Sequence, residues 1–198
     1  MKLFAKQGFQ GTTTREIADR ARVNEAILFR HFRHKEDLYW AVIEAKCLGQ
    51  QGRQELKQTL RDAGSPRAAL AAVAEDILRR NSDDPTRTRL FLFSALENHR
   101  LSHRFFRSHV ARYYDILADY IRSQTRHGEF RRMDPRLAAR CFLGMVAHYH
   151  QVQELFGGKR YQKFDTRRAC ETMADIWLDG VRPRNNRHPR QNGTDRHR

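Results

Sequence analysis

Apolar residues recur at intervals of three and four along most of the chain, the spacing of one-sided helices rather than strands. Phe106, Val110, Tyr113, Leu117, Tyr120 and Ile121 form one such stripe, and Leu137, Cys141, Met145, Tyr149, Val152 and Phe156 another. Ser65-Pro66, Asp83-Asp84-Pro85 and Asp134-Pro135 each set a short capping side chain before a proline suited to the first helical position, which predicts three helix starts. The segment from Leu90 to Leu96 is apolar all round and by periodicity alone could be a buried strand. It lacks β-branched residues and follows a proline start, so a central helix is expected. Gly157-Gly158 ends a helix, and Thr166 to Val181 supplies the last one, with Ala169, Cys170, Met173, Ile176 and Trp177 as its apolar set. No convincing strand remains, and the fold class is all-α.

The front of the chain carries a tighter pattern. Thr13-Thr14-Arg15-Glu16 is a capping box, in which the Thr13 hydroxyl serves the Glu16 amide and the carboxylate reaches back, so a helix starts at Thr14. Ile17, Ala18 and Ala21 give it a small inner face that a second helix can cross closely. Val23 closes a short turn and Asn24 caps the next helix, which makes a helix-turn-helix. In that second helix Ile27, Leu28 and Phe32 are expected inward, leaving Glu25, Ala26, Phe29, Arg30 and Arg33 to project. A short, rigid, partly basic helix of this kind fits a major groove.

Composition narrows the function. With 198 residues the chain can bury a sizeable core, and its net charge of +15 favours a polyanionic partner, nucleic acid before anionic membrane. The charge is spread, with +3 on residues 1–47, +7 on 48–181 and +5 on 182–198, so charge alone does not say which part binds. Residues 182–198 have no apolar residue besides prolines and are expected to be a disordered basic tail, either a solvated end or a phosphate-binding arm. Cys47, Cys141 and Cys170 are odd in number and far apart, which argues against a disulfide framework or zinc site and for buried thiols in a reducing cytoplasm. No apolar run is long enough to span a membrane and no signal peptide opens the chain; a soluble, intracellular protein is expected. The motifs of phosphate-loop, serine-hydrolase and zinc-protease enzymes are absent, and no glutamate has histidine three residues later as a di-iron bundle needs. His99 and His103 share a helix face and could chelate a metal, but without a nearby carboxylate or thiol they read, like His148 and His150, as pocket lining or solvated side chains. No enzyme activity, cofactor or metal is expected.

From Leu3 to about Glu44 the chain resembles the DNA-binding head of the TetR family of bacterial transcriptional regulators. The resemblance rests on Leu3-Phe4 with Gly8-Phe9, Thr13-Thr14, Ile17-Ala18, Ala21, Val23, the aromatic Phe29, His31-Phe32, Lys35 and Leu38-Tyr39. It implies that Thr13, Thr14 and Arg15 meet phosphates at a helix start and that Asn24 caps the reading helix. Glu25, Ala26, Ile27 and Arg30 would then read bases, with Phe29 near a thymine methyl or packed, and His31 and Lys35 on the backbone. Arg30 could pair bidentately with guanine and Glu25 accept from cytosine. Phe29 stands where the family often has tyrosine, Arg22 replaces the usual turn glycine, and Arg33 and His34 replace small residues. Family members usually carry about ten residues before the equivalent of Leu3. A shortened first helix held by docking Leu3 and Phe4 is therefore expected, from a misplaced start or a weakly held head.

The same resemblance implies a head at residues 1–46, an effector-binding and dimerisation domain at 47–181, and the tail beyond. The last two helices would pair in a homodimer and offer two heads about one DNA turn, roughly 34 Å, apart to a palindromic operator. An effector pocket would draw on Phe91, Phe93, Phe105, Tyr113, Leu117, Phe142, Met145 and Tyr149, which implies a small apolar or aromatic effector, although each of these residues alone reads as core. Ligand-responsive repression is the expected function. The alternative is an architectural, nucleoid-associated DNA binder of low specificity.

Overall fold

The computed structural model describes residues 2–47, 50–83, 85–97 and 100–183, with backbone alone at 46, 47, 50, 51, 83, 85, 100–102 and 109. Asp84, His99 (and with it the His99/His103 pair), the Cys47 side chain and most of the basic tail lie outside the described residues. The front is α1 (Lys2–Gln7), α2 (Thr14–Ala21), α3 (Glu25–His31) and α4 (Lys35–Cys47). Behind it come α5 (Gln50–Asp62), α6 (Pro66–Asp83), α7 (Pro85–Leu96), α8 (Arg100–Phe105), α9 (Ala111–Arg126), α10 (Pro135–His150) and α11 (Thr166–Val181). Among the described residues there is no strand.

The three expected proline starts are where α6, α7 and α10 begin. At α10 the Asp134 carboxylate accepts from the amides of Arg136 and Leu137 at 2.8 and 3.1 Å, and at α6 the Ser65 hydroxyl accepts from the Ala68 amide at 3.2 Å. The helix anticipated from Phe106 onward is continuous with α8 through a π turn at Phe106–Val110, and α10 runs into a second π turn at Gln151–Leu155.

In the body, α6 packs on α11 and α9 on α10. Leu70, Leu117, Ile121, Phe142 and Val146 are sealed between them, each such burial contributing about 1.5–3 kcal/mol. Trp177 meets Phe130 and Phe142 edge-on at 5.5 and 5.8 Å and donates its indole N–H to the Ala138 carbonyl at 3.2 Å.

Two of the expected stripes are corrected here. On α10 the buried face is Ala138, Ala139, Phe142, Leu143, Val146 and His150, one position round from the anticipated row, while Leu137 is 62% exposed, Cys141 is exposed and Phe156 lies out beyond the helix. On α11 Ile176 is likewise 62% exposed, with Ala174 and Leu178 inside instead. Alanines, weak as sequence signals, supply much of the true inner face. The expectation of buried thiols holds for Cys170, whose pKa burial pushes up to about 12, and fails for Cys141.

The front has its own core. Phe4, at 1% exposure, lies edge-on to Tyr39 with centroids 4.9 Å apart, and Phe9 sits 5.3 Å from the same ring. Phe4 therefore anchors α1, while Leu3 is only half-buried. This cluster continues into Leu90 of α7 and Phe105 of α8, so front and body share apolar packing.

Candidate nucleic-acid interface and cavity

The capping box forms as the sequence requires. Thr13 Oγ1 accepts from the Glu16 amide at 3.2 Å while a Glu16 carboxylate oxygen accepts from the Thr13 amide at 2.8 Å. The Thr13 amide and then its hydroxyl hold the Glu16 carboxyl below its ordinary pKa. Asn24 Oδ1 accepts from the Ile27 amide at 2.8 Å and starts α3. Between the two helices Arg22 adopts the left-handed conformation, with φ +57° and ψ +39°, which a glycine would take without strain.

Leu28 is the buried residue of α3, with Phe32 half-buried behind it. Ile27 is 40% exposed, which corrects the expectation that it faces inward and leaves it on the side assigned to bases. Ala21, expected on the inner face of α2, is exposed, and Ala18 alone is sealed there. Ala26, Phe29, Arg30, His31 and Arg33 are exposed and Glu25 is half-exposed; Thr14 and Arg15 stand at the start of α2 with Arg15 exposed. The exposed side chains of α3 thus include the cationic Arg30 and the apolar Ile27 and Phe29, the last two on different sides of the helix.

Lys35 does something other than expected. Its ammonium donates to the carbonyls of Phe9 and Thr12 at 2.9 and 3.0 Å and lies 4.2 Å from the centre of the Phe9 ring. It clasps the α1–α2 loop to the start of α4, which engages it internally rather than leaving it as a free phosphate contact.

Helix α7 joins front to body. Arg89 Nε donates to the Ala5 carbonyl at 2.7 Å, and the Glu97 carboxylate accepts from the amides of Phe9 and Gln10 at 3.0 and 3.1 Å. Gly8 has φ +76°, and a Cβ there would overlap Glu97 and approach the Phe93 ring to 2.9 Å. Phe93 thus belongs to this junction and does not line the cavity.

The other side of α7 borders a cavity of about 220 Å³ closed by α6, α9 and α10 and by the two π turns. Such turns often mark functional sites. Of the eight expected pocket residues, Phe91, Phe105 and Tyr113 line it; the rings of Phe91 and Phe105 are 5.6 Å apart. Leu117 and Phe142 are sealed in the body core, Met145 packs against that core, and Tyr149 lines a neighbouring polar cleft instead. These four are corrections of the same kind as on α10: a helical stripe marks burial, and burial in this bundle is mostly core. The residues missed are polar, namely Arg80, Arg87, Thr88 and His150. Thr88 Oγ1 lies 3.2 Å from His150 Nε2, and burial pushes the His150 imidazole pKa down, against Glu154 and with Lys159. Burial likewise raises the Tyr113 phenol pKa, against the pull of Arg80 and Arg87. Among the described residues no group of three His, Cys, Asp or Glu side chains could hold a metal ion, and no helix is long and apolar enough to cross a membrane.

A capped helix-turn-helix held on a helical body by α7 and α8 defines a helix-turn-helix transcriptional regulator. Residues 1–42 match the family described as bacterial regulatory proteins, tetR family, and residues 68–179 match the AefR-like transcriptional repressor C-terminal domain. The chain belongs to the TetR family. It is similar to the HTH-type transcriptional regulator YvkB of Bacillus subtilis (strain 168), at 23% identity over 91% of this chain and 92% of that protein. It is also similar to the HTH-type transcriptional regulator RutR of Escherichia coli (strain K12), at 27% identity over 91% and 86%. In fold it resembles the transcriptional regulator FadR of Bacillus subtilis solved with stearoyl-CoA, with a TM-score of 0.70, 18% identity and coverage of 91% and 94%.

Proposed function

We propose that the protein is a ligand-responsive repressor that binds a palindromic operator as a homodimer. In this reading the head of residues 1–46 places α3 in the major groove, Arg30 and Glu25 read base edges, Ala26, Ile27 and Phe29 contact thymine methyls, and Thr14, Arg15 and His31 hold phosphates. The observation that carries it is the exposed outer face of α3, where Arg30 and Glu25 offer a donor and an acceptor to base edges, fixed by the Thr13 and Asn24 caps and by Leu28.

Dimerisation through α10 and α11 is supported by two outward rows. Leu137, Cys141, Gly144 and His148 follow one another along α10 at helical spacing, and Thr172, Ile176 and Gly180 along α11, all exposed. A Cβ at Gly144 or Gly180 would meet nothing, which leaves room for a second copy to approach closely.

The cavity of Phe91, Phe105 and Tyr113 is the proposed effector site, and α7 the proposed lever. Arg87, Thr88 and Phe91 of that helix line the cavity while Arg89, Leu90, Phe93 and Glu97 hold the head. A ligand that moves α7 therefore moves α1 and changes the separation of the two heads, a shift that needs differential affinity between the states. FadR with stearoyl-CoA supplies a precedent for ligand binding in this fold. Cytoplasmic location, the absence of catalysis and the absence of a bound cofactor belong to the same reading.

In-vitro selection from random duplex DNA at one near-physiological salt concentration tests it. Enrichment of a palindrome is the expected result. Salt-sensitive binding without enrichment would favour the architectural alternative.

A further inference from the structure

The cavity beside α7 holds two arginines in different states. Arg80 is ion-paired, with Nε 2.7 Å from Asp76 Oδ2, although not aligned as a hydrogen bond, and a terminal nitrogen bonded to Glu55, so its charge is already matched. Arg87 has no ion pair among the described residues, and its Nε is buried without a hydrogen-bond partner. Arg87 is half-buried overall, and its buried Nε–H is left as a donor without an acceptor. His150 repeats the pattern. It is 3% exposed and meets Thr88 through Nε2, while Nδ1 is buried and unpartnered. Two buried donors of this kind on one cavity are a cost that a ligand's acceptor atoms would remove.

Taking this cavity as the effector site proposed above, we infer that the effector is a small monoanionic acid. Its carboxylate or equivalent group bonds Arg87 Nε and His150 Nδ1, and its apolar body lies against Phe91, Phe105, Ile77 and Leu143. Burial holds the imidazole pKa below its ordinary value, and in the neutral tautomer in which the Thr88 hydroxyl donates to Nε2 the hydrogen sits on Nδ1, available to an acceptor. One negative charge balances Arg87; a second would face Asp76. The volume of about 220 Å³ is below the ~300–1,000 Å³ of drug-sized sites, which favours a small body. An aryl or short-chain acid fits these limits; an intact coenzyme A thioester would leave its nucleotide outside. This narrows the expected small apolar or aromatic effector to one that carries an acid group.

Calorimetric titration of the full-length protein with phenylacetate and hexanoate, their amides and hexanoyl-CoA tests the inference, using wild type, Arg87→Gln and an Ala147→Phe variant that plugs the cavity. An acid should bind about tenfold or more tightly than its amide, Arg87→Gln should erase that preference, and the plug should abolish binding. Unliganded melting curves of both variants verify folding. Amides that bind as well as acids, and are blocked by the plug, would overturn the acid while leaving the cavity as the effector site. Binding that the plug leaves untouched would overturn the effector-site reading and the acid with it. Hexanoyl-CoA binding without hexanoate binding, or no binding of either acid at millimolar concentration, would overturn the small-acid class.

Discussion

Replacing Glu97 by alanine should loosen the head from the body without disturbing the body's core. Its carboxylate accepts from the amides of Phe9 and Gln10 at 3.0 and 3.1 Å, across a junction where Phe9 is 4% exposed and Gln10 is open to water. Water replaces the acceptor at Gln10 at little cost. At Phe9 a part-buried hydrogen bond to a charged group is lost, worth about 1.5–3 kcal/mol, or about 10–150-fold in the docking equilibrium of α1 on α7. Hydrogen exchange resolved at single amides is the assay. Exchange at Phe9 and Gln10 should accelerate toward that factor in Glu97→Ala, while the amides of α6, α9 and α11 stay protected. Glu97→Gln, which keeps an acceptor without the charge, should fall between. Gly8→Ala should act in the same direction, because its Cβ would overlap Glu97 at a left-handed φ. Unchanged protection at Phe9 and Gln10 in Glu97→Ala would mean that the carboxylate is not what holds the head.

Arg22→Gly should stabilise the head, because a left-handed L-residue costs ~1–2 kcal/mol and glycine's extra freedom in the unfolded chain returns ~0.5–1 kcal/mol of that, a net gain of about 0.5–1 kcal/mol readable by thermal or denaturant unfolding. In a Cys47→Ser background, maleimide should label the exposed Cys141 and spare Cys170, whose thiol pKa is pushed up to about 12, and Cys141 labelling should slow as rising concentration drives dimerisation. His150 is held below its ordinary pKa of 6.5, so its contribution to stability is present above that pH and lost as pH falls through the lowered value. His150→Gln should flatten that part of the pH–stability curve.

Local chemistry was the most legible part of the sequence. The Thr13–Glu16 box, the Asn24 cap and the Asp134-Pro135 start depend on residues a few positions apart, and each appears as hydrogen bonds of ordinary length. The faces of α10 and α11 were less legible, because Ala138, Ala139 and Ala174 contribute to the core without announcing it, while Leu137 and Ile176 point outward. The cavity was nearly invisible. Arg80, Arg87 and His150 come from three helices, and nothing in their local sequence separates them from solvated charges; Arg87 stands between Thr86 and Thr88, a polar setting that gives no sign of burial. The Lys35 clasp and the Glu97 latch join residues 23 to 88 positions apart, beyond the reach of any periodicity.

Sequence reading by α3 is tested most directly by the ratio of affinities for the selected site and a scrambled duplex, at fixed salt, for wild type and Arg30→Ala. The expected result is a loss of about 1–3 kcal/mol on the selected site with specificity relaxed at one base pair of each half-site, and little change on the scrambled duplex. An equal loss on both duplexes would contradict it, placing Arg30 on phosphate and leaving base reading to another element.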